Sequence, residues 1–255
     1  MKLDLKTKTI GNAYLWMEEI DSTNEELKRQ AAAGAVHGTV LAAGYQTNGK
    51  GRRGRTWDSP KGDNIYLSIL LRPDLQPAEA SMLTLIGALA VADSIKETTG
   101  ADCQIKWPND LVLAGKKVCG ILTEMSTGAD GIQYVIVGIG INVNRSIFPE
   151  DIAHMASSIE KGQGREAIIA SLLFHFEEKY DKFLKYKNLA PFVEEYNERL
   201  AGIGRQVQIL SGGEGVIRTS HGIDEGGALI VTDEEGKEEK IISGEVSVRG
   251  LYGYV

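Results

Sequence analysis

A nine-residue run at 49–57, Gly-Lys-Gly-Arg-Arg-Gly-Arg-Thr-Trp, constrains this chain more than any other stretch. Its three glycines allow positive φ angles and a close approach of the backbone to a ligand, at an entropic cost that an ordinary surface loop need not bear. Its four cations form a basic cluster in a chain of net charge -7, and an arginine fork matches carboxylate and phosphate oxygens. The run therefore indicates an anion-binding loop, and the alternative is a solvated basic loop.

The start of this run also spells G-x-G-x-x-G, the pattern of dinucleotide-binding folds. That pattern needs a strand before it and a helix directly after it, so that the pyrophosphate meets the helix N-terminus. Residues 39–45 suit a strand, but residues 56–64 are rich in turn formers and have no helical period. The context therefore excludes a Rossmann-type site.

Length and composition indicate a globular protein of 255 residues, enough for one large domain and a small one. Its hydrophobic content of 42% is ordinary, and its acidic balance argues against general coating of nucleic acid. Cys103 and Cys119 form neither a C-x-x-C motif nor a disulfide framework, so we expect a cytoplasmic protein. No uninterrupted apolar run approaches about 18 residues, and we expect neither a membrane span nor a secretion signal.

Hydrophobic periodicity and turn residues predict an α+β chain. Ser22 and Glu25 form a capping-box pattern that starts a helix ending near Gly34. A long helix is expected between Pro77 and Gly100. Strands are expected at 39–46, 64–71, 103–107, 111–113, 117–123 and 133–143, and further helices at 168–184 and 191–200.

The sequence pattern changes after residue 200, where short apolar segments typical of strands alternate with turns rich in glycine and aspartate. Strands at 207–210, 228–231, 240–242 and 245–248 predict a small β-barrel. We therefore expect a mixed β-sheet flanked by helices in residues 1–200 and a small barrel in residues 201–255.

Polar side chains stand out in two otherwise apolar regions. Asn109 and Asp110 follow Pro108, which cannot continue a central strand, so they form either a capped turn or a ligand-binding turn. Lys117 lies in an apolar strand, where an inward position would be costly unless it paired with a carboxylate or phosphate. An outward position would make it an ordinary edge residue, and the sequence leaves its face open.

Gly138 and Gly140 lie on one face of a predicted strand, where side chains are missing. Either a flat ligand or a closely packed helix would need that space. The four histidines show no metal-ligand spacing, so a zinc site is not predicted. Walker A and G-x-S-x-G motifs are absent from the sequence as well.

In order and spacing, these motifs resemble the signatures of biotin protein ligases. They are the run at 49–57, Lys-Trp-Pro-Asn-Asp at 106–110, Lys-x-x-Gly-Ile-Leu-x-Glu at 117–124, Gly-Ile-Gly-Ile-Asn at 138–142 and Asp-Ser-Thr-Asn at 21–24. Segments 222–229 and 244–249 extend the likeness to nearly the whole chain. The resemblance implies a catalytic domain of the class II synthetase type followed by an SH3-like barrel.

The resemblance implies an ATP-dependent biotin–[biotin carboxyl-carrier protein] ligase that works in two steps. The enzyme would activate biotin as biotinyl-5'-AMP and then transfer it to a specific lysine of a carboxylase carrier domain. Since the first step joins two anions, catalysis would consist mostly of charge neutralisation and positioning. Mg²⁺ would accompany ATP on its phosphates, without a metal site built by the protein.

Matching positions imply three overlapping groups of site residues. The implied catalytic residues are Lys117, Arg52, Arg55 and Asp110. The implied biotin-binding residues are Ser22, Thr23, Asn24, Gln46, Gly49, Lys50, Gly51, Arg52, Lys117 and Gly120. The implied ATP- or adenylate-binding residues are Arg52, Arg55, Trp57, Asn109, Lys117, Asn142 and Arg249. Lys50 departs from the family pattern, which usually has arginine there, and a backbone contact would make this change unimportant.

Two other functions stay open from the sequence. A lipoate ligase shares the catalytic fold and the acyl-adenylate chemistry, but the glycine–arginine loop and the Lys-Trp-Pro-Asn-Asp run favour biotin. A nucleic-acid-binding module could use the arginine loop and the barrel, but net charge -7 and few aromatic residues among the cations disfavour it. Too few residues precede Tyr14 for the helix-turn-helix of repressor members, so we expect a monofunctional enzyme without specific DNA binding. The resemblance also allows a homodimer.

Overall fold

The computed structural model describes residues 3–62, 64–159, 164–211, 214–243, 247–250 and 254–255. In these ranges, seven strands before residue 201 form one mixed sheet. The strands are β1 (Tyr14–Met17), β2 (Val40–Ala43), β3 (Ile65–Leu71), β4 (Gln104–Lys106), β5 (Asp110–Leu113), β6 (Lys116–Gly128) and β7 (Gly131–Ile141). The helices are α1 (Thr23–Ala32), α2 (Pro77–Ser81), α3 (Leu83–Thr99), α4 (Glu150–Ala153), α5 (Arg165–Tyr186) and α6 (Val193–Arg199).

The order of strands in this sheet is β1-β2-β3-β7-β6-β5-β4. β1 and β2 are parallel, and the other neighbours are antiparallel. Side chains alternate between the two faces of the sheet because successive residues of a strand point to opposite sides. Helix α1 packs its Leu27 against Leu41, Leu70 and Ile136 on one face, while α3 covers the other face and α5 packs against α3. The candidate site lies on the α1 face, at the start of that helix.

Residues 77–99 form the long helical region that the sequence predicts, with a break at Met82 between α2 and α3. Gly100 ends α3 with a left-handed φ of 72°, a conformation that glycine adopts without strain. By length and composition the helical stretch Pro77–Thr99 could cross a membrane, whereas the sequence led us to expect no membrane span. However, 72% of its most apolar window is buried inside the protein, as in a core helix.

The predicted capping box at the start of α1 is wrong. Ser22 makes no capping hydrogen bond with any described residue. Glu25 Oε1 instead lies 2.6 Å from Lys28 Nζ and 2.7 Å from Lys50 Nζ. Glu25 turns away from the helix terminus because two charge-assisted contacts are more favourable than one hydrogen bond to a backbone N–H. Ser22 lines the small pocket of the candidate site described below.

A second, five-stranded antiparallel sheet follows, in the order β11-β10-β9-β8-β12. Its strands are β8 (Gln206–Ser211), β9 (Glu214–Ile223), β10 (Leu229–Thr232), β11 (Glu238–Ile241) and β12 (Ser247–Gly250). Residues 244–246, which begin the motif at 244–249 and include the start of the strand predicted at 245–248, lie outside the described residues. The mixed sheet with flanking helices and the small SH3-like β-module confirm the predicted fold class. β1, α4 and β9 were not predicted.

A buried contact joins the first sheet to the second. The indole Nε1 of Trp107, directly after β4, donates a hydrogen bond to the carbonyl of Gly227, between β9 and β10, at 3.0 Å. Trp107 is buried, so this hydrogen bond is shielded from water. The Lys-Trp-Pro-Asn-Asp stretch is therefore anchored to the second sheet through its tryptophan.

Candidate active site

Three adjoining hollows meet around Lys117 in the described structure. The small pocket has a volume of about 60 Å³ and is bordered by the start of α1, the basic loop and the glycines of β6 and β7. The large cleft, of about 900 Å³, runs from the basic loop to β12. The side cleft, of about 330 Å³, lies between the basic loop and residues 142–156. Lys117 and Trp57 line all three.

A network of hydrogen bonds holds the polar wall of the small pocket. The backbone N–H of Thr23 donates to Gln46 Oε1 at 2.9 Å. Ser68 Oγ donates to Asn24 Oδ1 at 2.6 Å, and Asn24 Nδ2 donates to Glu124 Oε2 at 2.8 Å. These bonds fix the orientation of the Asn24 amide. Ser68 was not predicted as a site residue, although it is the polar residue in the otherwise apolar run of β3.

Three glycines make room for two side chains beside this wall. A Cβ atom on Gly140 would lie 2.6 Å from Trp57 Cε2, and one on Gly120 would lie 2.9 Å from Trp57 Cζ3. A Cβ atom on Gly138 would clash with the side chain of Asn24. The sequence left open whether a packed helix or a flat ligand lies over these glycines. In the structure the start of α1 lies over Gly138, and the Trp57 indole lies over Gly140 and Gly120.

The basic loop is itself a small hairpin. The N–H of Gly51 donates to the carbonyl of Arg55 at 2.8 Å, and the N–H of Trp57 donates to the carbonyl of Gly49 at 2.9 Å. Arg53 occupies the turn with a left-handed φ of 58°. This closure directs Trp57 into the site. Gly49 lines none of the three hollows formed by the described residues. Its carbonyl accepts the hydrogen bond that closes the loop.

Arg52 reaches across the opening of the small pocket. Its Nη1 donates a hydrogen bond to Asn109 Oδ1 at 2.9 Å. Burial lowers the pKa of Arg52, and the nearby Asp110 carboxylate opposes that shift. The guanidinium therefore carries a partly desolvated positive charge at the boundary of the small pocket and the large cleft.

Lys117 pairs with Asp110, which resolves the question of its face. Its Nζ lies 2.7 Å from Asp110 Oδ1 and 5.2 Å from the centre of the Trp57 ring. Burial alone would raise the pKa of Asp110, but Lys117 and the hydroxyl of Tyr254 together hold that pKa below its usual range. Lys117 thus presents a positive charge to the hollows while Asp110 stays ionised.

A β-bulge between β5 and β6 turns Lys117 toward the site. Leu111 pairs with Cys119, but the next residue, Val112, pairs with Lys117, so Val118 is the extra residue. A bulge re-aims side chains and interrupts the two-residue alternation of a strand. The N–H of Lys117 also donates to the carbonyl of Met155 at 2.7 Å, which fixes its backbone.

Two further residues of the large cleft were not predicted as site residues. Lys106 Nζ lies 3.3 Å from the centre of the Tyr254 ring, and Tyr254 donates a hydrogen bond to Asp110 Oδ2. Burial lowers the pKa of Lys106 to about 8, although Asp110 opposes that shift. Lys106 belongs to a motif that the sequence analysis noted, whereas Tyr254 lies outside every motif.

The structure distributes the predicted residues over the hollows as follows. Eleven predicted residues line the small pocket: Ser22, Thr23, Asn24, Gln46, Lys50, Gly51, Arg52, Trp57, Asn109, Lys117 and Gly120. The large cleft adds Arg55, Asp110 and Arg249, and the side cleft adds Asn142. All the predicted side chains apart from Gly49 therefore surround one connected space.

The donor chemistry of the described residues does not form a metal centre. Within the described ranges, no group of three or more histidine, cysteine, aspartate or glutamate side chains could hold a metal ion. At the large cleft the carboxylate of Asp110 already binds Lys117 and Tyr254. Cys103 and Cys119 are buried free thiols, and burial raises the pKa of Cys103 to about 12, so they are poor nucleophiles.

Comparison with known proteins identifies the family. Residues 16–142 match the Biotin/lipoate A/B protein ligase family, and residues 202–249 match the Biotin protein ligase C terminal domain. The chain is 34% identical to the Bifunctional ligase/repressor BirA of Bacillus spizizenii, across 97% of this chain and 78% of that protein. It is 32% identical to the Biotin--[acetyl-CoA-carboxylase] ligase of Mycobacterium tuberculosis, across 95% of this chain and 93% of that protein.

A solved structure agrees with these sequence matches. The biotin protein ligase from Aquifex aeolicus in complex with biotin and ATP superposes with a TM-score of 0.81 at 33% identity, covering 94% of this chain and 99% of that one. Fold, hollows and sequence likeness thus coincide over nearly the whole chain and confirm the predicted resemblance. This chain belongs to the biotin protein ligase family, whose reaction is the ATP-dependent attachment of biotin to protein.

Proposed function

We propose that the small pocket binds biotin, that the large cleft binds ATP, and that Lys117 acts where the two substrates meet. The observation that carries this assignment is the ion pair of Lys117 and Asp110, which lies where the two spaces join. A cation at that junction can contact the biotin carboxylate and the α-phosphate of ATP at the same time. Its 2.7 Å contact with Asp110 keeps it from folding back into the protein.

The small pocket suits the ureido head group of biotin, which offers two N–H donors and one carbonyl acceptor. The side chains of Ser22, Thr23, Asn24 and Gln46 supply polar atoms whose orientation is partly fixed by their own hydrogen bonds. The indole of Trp57, which lies over Gly120, offers apolar surface for the rest of the bicyclic ring. A pocket with few oriented polar groups and apolar walls favours one ligand orientation.

Adenylation then joins a biotin carboxylate oxygen to the α-phosphorus of ATP and breaks the bond from that phosphorus to the oxygen bridging to the β-phosphate. Pyrophosphate leaves with the electron pair of that bond. Arg52, Arg55 and Lys117 line the large cleft, where their charges offset the repulsion between the two anions. One such electrostatic group contributes roughly 10²–10³ in rate.

Mg²⁺ is proposed to arrive on the ATP phosphates, where it supplies charge neutralisation and orientation of the triphosphate. The described residues fit this arrangement because the carboxylate of Asp110 is engaged by Lys117 and Tyr254, and cationic side chains outnumber acidic ones along the cleft wall. In this cleft, Arg249 and Lys106 would contact ATP phosphate or ribose oxygens. In the side cleft, Asn142 would border the adenine.

The second step is proposed to take place at the opening of the large cleft. There the neutral amine of a lysine on the carrier domain attacks the carbonyl carbon of biotinyl-5'-AMP. An amide bond forms, the bond to the phosphate oxygen breaks, AMP leaves, and the amine loses a proton. The large cleft is open enough to admit an extended lysine side chain because it holds about 900 Å³.

The remaining assignments are also proposals. A domain boundary at residue 200 is supported by the end of α6 at Arg199 and the start of β8 at Gln206. A reducing, cytoplasmic location is supported by two free cysteines. The net charge of -7 supports the absence of sequence-specific DNA binding, which gel-shift titration at physiological salt would test.

The test of the whole scheme uses ATP labelled at the α-phosphate. Incubation with biotin should give a labelled, biotin-dependent adenylate in the absence of any acceptor protein. Addition of a biotin carboxyl carrier domain should discharge that adenylate as AMP and add the mass of biotin to one lysine. A carrier domain with arginine in place of that lysine should leave the adenylate intact. Discharge by both carriers at the same rate would contradict specific transfer.

A further inference from the structure

Tyr254 connects Lys106 and Lys117, two of the lysines that line the large cleft, to one carboxylate. Its hydroxyl donates to Asp110 Oδ2, while Asp110 Oδ1 lies 2.7 Å from Lys117 Nζ. The aromatic ring of Tyr254 contacts the other lysine, since its centre lies 3.3 Å from Lys106 Nζ. Tyr254 lies outside both regions that match the family, 16–142 and 202–249.

The hydroxyl restrains the rotation of the Asp110 carboxylate. A carboxylate held at one oxygen can turn about its terminal torsion, which is a soft rotation. Here Oδ2 accepts the Tyr254 hydrogen bond while Oδ1 lies 2.7 Å from the Lys117 ammonium, so contacts at both oxygens restrain the plane of the group. The direction in which Asp110 holds Lys117 is therefore set in part by Tyr254.

The ring of Tyr254 keeps the second lysine from competing for this carboxylate. Lys106 is buried and close enough to Asp110 for their charges to attract each other. Instead of forming an ion pair with Asp110, its ammonium lies against the face of the aromatic ring, a favourable position for a cation. Asp110 therefore forms its ion pair with Lys117, and Lys106 lines the large cleft.

We propose that Tyr254 is a positioning residue for formation of the biotin adenylate, acting through Asp110 to hold Lys117 at the junction of the two substrates. This inference rests on the proposed function of that junction. It assigns a role in the first reaction step to a residue that follows the second sheet and that no motif identifies.

The primary test compares Tyr254→Phe with Tyr180→Phe. The first variant removes the hydroxyl but keeps the ring beside Lys106. The second removes the hydroxyl of a tyrosine in α5 that is also buried and whose oxygen has no hydrogen-bond partner among the described residues. Biotin-dependent exchange between pyrophosphate and ATP, measured without acceptor protein, gives kcat and the KM for biotin for each variant.

Tyr254→Phe should lower kcat about tenfold, because one hydrogen bond to a charged group is lost, and should leave the KM for biotin within about twofold of wild type. Tyr180→Phe should have the kcat of the wild type. An unchanged Kd for biotin, measured by calorimetry, shows that each variant is folded. A wild-type kcat for Tyr254→Phe would overturn the proposal.

A double-mutant cycle separates positioning from general packing. If Tyr254 acts through Asp110, then adding Tyr254→Phe to Asp110→Asn should change kcat by less than about twofold. A further tenfold loss in the double variant would overturn the proposal, because the two effects would then be independent. Absence of exchange in the wild-type protein would overturn the proposed function itself, and the role of Tyr254 with it.

Discussion

Lys117 Nζ and Asp110 Oδ1 lie 2.7 Å apart at the junction of the small pocket and the large cleft. The bulge at Val118 turns Lys117 toward the hollows, and in the proposed scheme the pair keeps this cation in place between two anionic substrates. Because both partners are mostly shielded from solvent, the pair links catalysis and stability in one contact.

Replacing Lys117 with alanine should therefore affect both properties. We expect Lys117→Ala to lower the rate of adenylate formation by roughly 10²–10³, the contribution of one electrostatic group. It should also lower the free energy of unfolding by about 3 kcal/mol, because the Asp110 carboxylate is left buried without its counter-charge. Single-turnover adenylate formation and urea denaturation measure the two effects.

Two controls accompany this prediction. Lys185→Ala removes an exposed lysine of α5 and should change neither quantity. Adding Asp110→Asn to Lys117→Ala should restore most of the stability without restoring the rate, because the uncompensated charge is gone but the catalytic cation is still missing. Recovery of the rate in that double variant would show that Lys117 is not the group that stabilises the reaction.

Titration of Lys106 should make kcat/KM for ATP fall at high pH. Burial lowers the pKa of Lys106 to about 8, against the opposing attraction of Asp110, so Lys106 is charged below that pH and neutral above it. Since the charge would attract the triphosphate, kcat/KM for ATP should fall about tenfold or more between about pH 7 and about pH 9.5.

The matched variant for this profile is Lys106→Met, which keeps the length of the side chain and cannot titrate. Its kcat/KM for ATP should be low at neutral pH and should lack the limb near pH 8. The same measurement on Lys185→Ala should give the wild-type profile. A limb that persists unchanged in Lys106→Met would assign the titration to another group.

Much of this arrangement could be predicted from the sequence. The apolar run at 64–71 predicts the buried strand β3, observed as Ile65–Leu71, because an uninterrupted apolar segment of that length suits a strand covered on both faces. The glycine–arginine run favours a ligand loop over a solvated basic loop because its glycines have an entropic cost that an ordinary surface loop need not bear. The motifs predicted eleven of the residues that line the small pocket, but many residues of the two clefts, such as His154 and Met155, were not predicted.

What could not be predicted depends on contacts between distant parts of the chain. The face of Lys117 follows from a bulge, and one extra residue reverses the alternation on which a strand prediction rests. The failed cap at Ser22 follows from Lys50, which attracts Glu25 across the site from another loop. Tyr254 reaches Asp110 across 144 positions of sequence, and no local pattern marks such a contact.

Arg52 should retain the adenylate more than it promotes the chemistry. Its hydrogen bond to Asn109 Oδ1, at 2.9 Å, ties the basic loop to the opposite wall of the site. Arg52→Gly keeps a permissive backbone but removes that tie, so adenylate should still form, dissociate at least about tenfold faster, and label lysines of unrelated proteins. Stopped-flow dissociation of the adenylate and labelling of a bystander protein measure these effects.

Arg53→Gly is the matched control, because it makes the same substitution one residue further along the loop. Arg53 is exposed and has a left-handed φ of 58°, which glycine adopts without strain. Its adenylate should dissociate at the wild-type rate. Equal release from the two variants would show that loop flexibility in general, and not the Arg52 contact, controls retention.

A methyl group on Gly140 should displace the indole that lines all three hollows. The Cβ of Gly140→Ala would lie 2.6 Å from Trp57 Cε2, which is closer than real contacts allow, so the ring must move. We expect biotin affinity to fall about tenfold or more, with the tryptophan fluorescence changed. Calorimetric titration with biotin gives the affinity.

Gly87→Ala in α3 is the control for this substitution. Its Cβ would lie 3.5 Å from Ile121 Cδ1, an ordinary contact, and alanine favours a helix more than glycine does. Biotin affinity should be unchanged and the Tm equal or higher. If Gly140→Ala binds biotin as the wild type does, the small pocket is not the biotin site.

Isotope exchange between pyrophosphate and ATP tests the central claim most directly, because it needs only the first half-reaction. If biotin binds in the small pocket and ATP in the large cleft, with Lys117 between them, exchange should depend on biotin and occur without any acceptor protein. The exchange rate should fall by roughly 10²–10³ in Lys117→Ala. Lipoate should support little or no exchange. Exchange that is equal with lipoate, or absent with biotin, would contradict this account.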